Sequence, residues 1–115
     1  MDRLRQRADF LAAAASGIKA PAAAFVLQVR ERSDDGPARV GFTVSKKVGN
    51  AVERNRVRRR LREIVRLSVA GRIRTGHDYV VIGRRAALQL PFARMAQQFE
   101  GALRRVHAER KAVSG

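Results

Sequence analysis

The spacing of apolar residues predicts three extended segments. Alternation of apolar and polar side chains, which is typical of half-buried strands, covers 24–30 and 39–45. A Ser-Asp-Asp-Gly-Pro turn cluster at 33–37 lies between them, so these two segments are predicted to form a β-hairpin. A short apolar run at 79–82 indicates a further strand, and a brief one is possible near Ile18.

Three other segments have the composition or spacing of helices. Residues 2–15 are rich in Ala, Leu and Arg, with Asp2 as the predicted N-cap. A second helix begins near Val52, with Gly71 where its C-cap belongs, and a third begins at Pro91. The faces predicted to pack inward hold Val57, Leu61, Ile64, Val65 and Ser68 in the second helix and Phe92, Met95, Phe99, Leu103 and Val106 in the third.

This order of elements predicts an α+β fold, with helices packed on one small mixed sheet. A single domain over 1–115 is expected at this length, with 110–115 as a frayed tail. The hydrophobic fraction of 45% is enough for a core.

The two faces of the predicted hairpin differ in polarity. One is assigned to the core and holds Phe25, Leu27, Val29, Val40, Phe42 and Val44. The other holds Val26, Gln28, Gly41, Thr43 and Ser45. This second face is too polar for a core, and its small side chains leave room for a single strand of nucleic acid. Phe10 is either a stacking platform beside that strand or a core residue.

The net positive charge limits the classes of molecule that this protein is expected to bind. Twenty-five basic residues against ten acidic ones give a net charge of +15 and a pI near 11.9. Such a field attracts polyanions, of which nucleic acid is the first candidate and anionic membrane or heparin-like polysaccharide the alternatives. Twenty-one of the basic residues are Arg, which grips phosphate with two hydrogen bonds, although a GC-rich genome would also favour Arg codons.

Several function classes are excluded or disfavoured. The absence of cysteine excludes disulfides, thiolate metal sites and Cys nucleophiles. No apolar run approaches the ~18 residues that span a bilayer, and the run at 10–15 is too short for a signal peptide. We therefore expect a cytoplasmic protein with no membrane partner.

The second helix carries most of the candidate chemistry. Seven arginines lie between positions 54 and 66, directly after a strand that ends in Lys46 and Lys47. At about 100° per residue, the face opposite the apolar stripe holds Asn55, Arg58, Arg59, Arg62 and Arg66, with Arg56 on its shoulder. Arg54 and Arg60 lie nearer the apolar edge. This row predicts a phosphate-binding surface; the alternative is an ordinary solvated helix face.

The segment 44–62 resembles the signature of the ribonuclease P protein family: Ser-Lys-Lys-x-Gly-Asn-Ala-Val followed by an Arg-Asn-Arg helix. The resemblance extends at lower density over nearly the whole chain. It implies an α/β sandwich with a four-stranded mixed sheet, like a domain of a small-subunit ribosomal protein. It also implies a left-handed β-α-β crossover, against the usual hand.

The resemblance also implies a function. The protein would perform no chemistry itself but assist a catalytic RNA, in a one-to-one complex, in removing the 5′ leader of precursor tRNA. That RNA would hold the required Mg²⁺, with no catalytic or metal-binding residue and no cofactor in the protein. The resemblance implies that the catalytic RNA is contacted by Lys46, Lys47, Arg54, Asn55, Arg56, Arg58, Arg59 and Arg62, to which the helical pattern adds Arg66.

A cleft between the first helix and the sheet is implied to hold the leader. Its predicted residues are Phe10, Val26, Gln28, Thr43 and Ser45. The sequence departs from the family here, because Ala14 and Gln28 stand where relatives often carry aromatic residues.

Two other functions remain open at this point. A small ribosomal protein would share the charge and the mixed sheet. A stand-alone nuclease would need clustered carboxylates or a His pair, but the ten acidic residues are scattered. His77 and His107 are the only histidines, and His77-Asp78 is interpreted as part of a turn.

Overall fold

The computed structural model describes the backbone of residues 2–68 and 73–114 and the side chains of 2–68 and 73–108. Its strands are β1 (Asp2–Arg3), β2 (Lys19–Pro21), β3 (Phe25–Glu31), β4 (Arg39–Thr43) and β5 (His77–Gly83). Its helices are α1 (Arg7–Ala15), α2 (Ala51–Ser68) and α3 (Phe92–Ser114). Short 3-10 turns occupy Lys46–Val48 and Arg85–Leu88. The predicted cap at Gly71 lies outside the described residues, and fraying of 110–115 stays a prediction.

The strands form one mixed sheet in the order β1-β4-β5-β3-β2. β5 is antiparallel to β3 and parallel to β4, so it lies between the two strands predicted to pair. The hairpin prediction is therefore wrong. Alternation identifies the faces of a strand but not its neighbours, and the loop after β3 is long enough to cross the ~10 Å that one intervening strand requires. The sheet has five strands rather than four because β1 adds a short edge.

The N-terminus differs from its prediction as well. Asp2 caps no helix: its backbone N–H donates to the Ala38 carbonyl at 2.7 Å, and the Leu4 N–H donates to the Val40 carbonyl at 3.0 Å. These bonds pair β1 with β4, and the helix begins at Arg7 instead. Helix propensity in this segment yields to pairing with a distant strand and to burial of Leu4.

Helices α2 and α3 cover one face of the sheet. Most of each predicted stripe is confirmed, with side chains buried at Val57, Leu61, Ile64, Val65, Met95, Phe99, Leu103 and Val106. Ser68 and Phe92, at the end of α2 and the start of α3, are only half-buried. The buried side chains pack on the buried strand residues Phe25, Leu27, Val29, Val40, Tyr79 and Val81. Because α2 connects the parallel neighbours β4 and β5, these three elements form the β-α-β crossover.

Helix α1 lies on the opposite face of the sheet. A smaller apolar cluster forms there from Leu4, Ala13 and Val80, against which Phe10 and Ile82 pack. The sheet is thus covered by two helices on one side and partly covered by one helix on the other, which leaves strand surface open beside α1.

Candidate nucleic-acid interface

The start of α2 is fixed by its own sequence. The Asn50 Oδ1 accepts a hydrogen bond from the Glu53 N–H at 2.8 Å, and the Asn50 N–H donates to Glu53 Oε1 at 3.0 Å. This reciprocal pair is a capping box, which satisfies two otherwise free N–H groups. The helix therefore begins a few residues after β4, and the turn between them leaves Lys46 and Lys47 exposed.

The outward face of α2 forms an open basic depression. Its volume is about 620 Å³, and it is lined by Val52, Asn55, Arg58, Arg59 and Arg62. Arg58 donates to the Asn55 Oδ1 at 3.0 Å. Among the described residues, none of these three arginines takes part in an ion pair. Like charges at helical spacing destabilise a helix, so this face is suited to an anion that covers it.

The remaining arginines of α2 are not equivalent. Arg60 donates to the carbonyls of Ala87 and Leu90, both at 2.6 Å, and so holds the turn before α3 against α2. The Nε of Arg54 is buried without a hydrogen-bond partner among the described groups. Arg66 pairs with Glu63 one turn away, and this hydrogen bond lowers the pKa of the Glu63 carboxyl.

The structure leaves most of the predicted RNA-binding residues exposed on α2 and on the turn before it. Those exposed are Lys46, Lys47, Asn55, Arg56, Arg59, Arg62 and Arg66, while Arg54 and Arg58 are half-buried. Sequence reasoning missed Val52, which is 75% exposed within the basic depression. The helical pattern contains this residue, three positions before Asn55, but a search for basic and polar side chains does not select an apolar one.

The second candidate surface lies beside α1 on the sheet. Strand register places Val26, Ile82 and Thr43 side by side across β3, β5 and β4. All three side chains are half-exposed, so this row is the open strip of the sheet beside α1 that would form the floor of the predicted groove. Ile82 was missed because the apolar run at 79–82 conceals which residues face each side. Ser45 lies beyond the end of β4, between this row and the paired lysines.

The next row of the same face is covered by α1. It consists of Gln28, Val80 and Gly41. A Cβ at Gly41 would lie 2.5 Å from the Phe10 Cζ, so the ring packs directly on this glycine. Phe10 is half-buried and belongs to the apolar cluster under α1. Its ring forms the wall of the groove and also contributes to the core.

A buried ion cluster fixes the first turn of α1, next to Phe10. The fully buried Asp78 accepts hydrogen bonds from Arg32 and, at 2.8 Å, from both Nε and Nη2 of Arg39. Burial raises the pKa of Asp78, but the bonds from these arginines outweigh it and hold the pKa below its ordinary value. Asp9 of α1 belongs to the same cluster, because its carboxylate forms ion pairs with Arg30 at 3.5 Å and with Arg39 at 3.4 Å. The groove therefore has a wall anchored by charge.

The histidines lie apart from both surfaces. His77 Nδ1 is 2.8 Å from the Thr75 carbonyl oxygen. The turn itself ends at Gly76, and His77 and Asp78 are the first residues of β5, so the interpretation of His77-Asp78 as part of a turn is wrong. His107 Nε2 lies 2.8 Å from the Tyr79 hydroxyl, and burial, with charge on Arg74, lowers the pKa of His107 to about 4.

Over 2–68 and 73–108, no three His, Asp or Glu side chains come together as a metal site would require. The described helices include none long and apolar enough to cross a membrane.

Comparison with known proteins agrees with this geometry. The family model described as Ribonuclease P matches residues 1–107. The chain is 48% identical over 103 residues to the ribonuclease P protein component of Gluconacetobacter diazotrophicus, covering 90% of this chain and 89% of the relative. It is 48% identical over 115 residues to that of Paramagnetospirillum magneticum, covering 96% and 86%.

Solved structures show the same fold. The Staphylococcus aureus RNase P protein superposes with a TM-score of 0.75 at 28% identity, over 90% of this chain and 94% of that one. The Thermotoga maritima RNase P protein gives a TM-score of 0.73 at 32% identity, over 88% and 94%. Sequence, fold and basic surface agree, and the chain belongs to the ribonuclease P protein family.

Proposed function

We propose that this chain is the RNA-binding protein subunit of ribonuclease P and assists a catalytic RNA in removing the 5′ leader from precursor tRNA. The observation that carries the proposal is the arginine face of α2, where Arg58, Arg59 and Arg62 take part in no ion pair among the described residues, on a chain whose net charge is +15. A surface of this kind binds phosphate without base specificity, as the anchoring of a large structured RNA requires. The family relationship supplies the identity of that RNA.

The groove beside α1 is the proposed site of the leader. Its floor of Val26, Ile82 and Thr43 is half-exposed and uncharged, and Phe10 stands at its margin. Single-stranded RNA is bound by such surfaces through stacking and contacts to unpaired bases. Mature tRNA has no leader, so this groove would distinguish substrate from product.

The chemistry is assigned to the RNA. Hydrolysis of a phosphodiester through metal ions needs clustered oxygen ligands, and the described residues offer no such cluster. We therefore propose that Mg²⁺ belongs to the RNA and that the protein has no catalytic residue. A one-to-one complex in the cytoplasm completes the proposal.

Cleavage of precursor tRNA tests this function. A bacterial RNase P RNA, the RNA-free protein and their mixture would each be assayed at low and at high Mg²⁺. We expect the mixture to cleave at Mg²⁺ concentrations where the RNA alone is inactive, because the protein's charge offsets phosphate repulsion between RNA and substrate. Cleavage by the RNA-free protein, or an unchanged Mg²⁺ requirement in the mixture, would contradict the proposal.

A further inference from the structure

A second, more apolar pocket opens at the β1 edge of the sheet, on the side covered by α2. It has a volume of about 240 Å³ and is lined by Asp2, Arg3, Val40, Phe42, Arg62, Val65 and Arg66. Register pairs Arg3 with Val40, so both lie on this side of the sheet. Phe42 was predicted to be a core residue, but its ring is only half-buried and faces this pocket.

We propose that this pocket binds one nucleobase from a single-stranded segment of the catalytic RNA, an inference that rests on the proposed function. The pocket is smaller than the ~300–1,000 Å³ typical of sites for drug-sized ligands, which suits a single ring system. Its floor combines the Phe42 ring with two valines, and aromatic rings stack on any base.

The positive charge around the pocket also favours a nucleotide of an RNA chain as its ligand. Arg3, Arg62 and Arg66 surround the apolar floor, so a ligand with an apolar ring and flanking negative charge is complementary to it. A nucleotide in an RNA chain has this combination, with a base for the floor and phosphates on both sides for the arginines. A buried apolar protein side chain would offer no negative charge to Arg3 and Arg62, which take part in no ion pair among the described residues, whereas Arg66 already pairs with Glu63.

The pocket is also continuous with the basic face of α2. Arg62 lines both the 620 Å³ depression and this pocket, so it stands at the boundary between them. Its guanidinium carbon lies 5.8 Å from the centroid of the Phe42 ring. The exposed Arg62 side chain can stack on an incoming base while the adjacent phosphates stay on α2. An RNA strand bound along α2 thus reaches the pocket without leaving the protein surface.

The salt dependence of RNA affinity separates stacking from phosphate binding. We expect Phe42→Leu to weaken binding of a bacterial RNase P RNA by about tenfold while the slope of log K against log salt stays unchanged, since no phosphate contact is lost. Arg62→Ala should weaken binding and flatten the slope by about one unit. Phe42→Tyr keeps the ring and should bind like wild type. Wild-type affinity for folded Phe42→Leu would overturn the proposal.

A fluorescent reporter tests the pocket directly. The chain contains no tryptophan, so Phe42→Trp introduces a single one. We expect the RNase P RNA to quench its emission and shield it from acrylamide. Leu11→Trp, at a position 57% exposed on the opposite face of the sheet, is the matched control and should respond little. Equal responses at both positions, or none in Phe42→Trp, would overturn the proposal.

The two hypotheses fail in different ways. If wild-type protein stimulates cleavage at low Mg²⁺ but the Phe42→Trp reporter stays unquenched, the pocket proposal alone fails. If wild-type protein does not stimulate cleavage, the proposed function itself fails.

Discussion

Neighbouring arginines of α2 have different roles, which only their partners reveal. Arg58 donates a hydrogen bond to Asn55 on the same helix. Arg60 instead donates to the carbonyl of Ala87, within the 3-10 turn, and to that of Leu90, just before α3. Both are cations on one helix, two positions apart. One is available to an external phosphate, and the other is already used to hold the fold.

This difference predicts opposite effects of two alanine substitutions. Arg58→Ala should leave the melting temperature unchanged, weaken binding to the RNase P RNA and flatten its salt dependence by about one unit. Arg60→Ala should destabilise the fold by about 1.5–3 kcal/mol, because it removes hydrogen bonds from a charged donor. Thermal unfolding and RNA titrations over a range of salt concentrations measure both effects. If Arg58→Ala is the unstable variant, the faces of α2 are wrongly assigned.

The half-buried His107 predicts a specific dependence of stability on pH. Its pKa in the folded protein is about 4, below the ordinary value near 6.5, so between these values the unfolded chain binds a proton that the folded protein does not. Stability should therefore fall by up to about 1.4 kcal/mol per pH unit on acidification through this window.

His107→Gln supplies the comparison. Urea unfolding of both proteins at pH 7 and pH 5 should show a smaller loss for the variant, because this group no longer titrates. An equal loss in both would mean that His107 is protonated as readily in the folded protein as in the unfolded chain.

At the scale of secondary structure, local patterns were predictable and long-range pairing was not. The basic and apolar faces of α2 follow from helical geometry within one segment, so the sequence is sufficient to assign them. Pairing of β3 with β5, and of β1 with β4, depends on residues dozens of positions apart. Alternation of apolar and polar residues within a strand does not identify the neighbours of that strand in the sheet.

The residues of the candidate site divide in the same way, into those whose placement follows from one segment and those whose placement depends on long-range strand pairing. The residues of the basic face were predicted correctly as a surface because they share one helix. The groove residues were assigned to the right side of each strand, but on the assumption that β3 and β4 pair. Insertion of β5 adds Ile82 to the centre of the groove floor and widens it by one strand. The half-exposed ring of Phe42 was missed because alternation does not show where a neighbouring strand ends: β1 pairs with β4 only at Arg39 and Val40, and Phe42 lies beyond it.

The contact between α1 and the sheet predicts a glycine requirement. Gly41→Ala would place a methyl group 2.5 Å from the Phe10 ring, so the ring or the whole helix must move. We expect a loss of about 1–3 kcal/mol in stability from overpacking and a changed affinity for the leader. The matched control is Gly101→Ala on α3, where the nearest atom is 3.9 Å away and helix propensity favours alanine.

Urea unfolding measures both glycine variants. The control should be at least as stable as wild type, so any loss is specific to Gly41. If Gly41→Ala is as stable as Gly101→Ala, then Phe10 does not pack on this glycine and the groove wall is misplaced.

At the scale of the whole molecule, the sheet separates the two surfaces for which we propose different RNA partners. The arginine face belongs to α2 on one side, and the leader groove lies beside α1 on the other. The exposed turn with Lys46 and Lys47 follows β4, next to the groove strand and before α2. A molecule of only 40 × 28 × 22 Å can therefore contact two RNAs at once. The net charge of +15 favours both contacts and is screened by salt.

The most direct test of this arrangement is the ratio of precursor to mature tRNA affinity for the assembled ribonucleoprotein. Thr43→Arg changes the groove floor and should change this ratio, with mature tRNA binding and affinity for the catalytic RNA left near their wild-type values. Arg58→Ala should do the reverse, weakening assembly with the catalytic RNA while the ratio for complexes formed at saturating protein stays the same. An unchanged ratio for Thr43→Arg, or a ratio altered equally by both variants, would contradict the assignment of the two RNAs to opposite faces of the sheet.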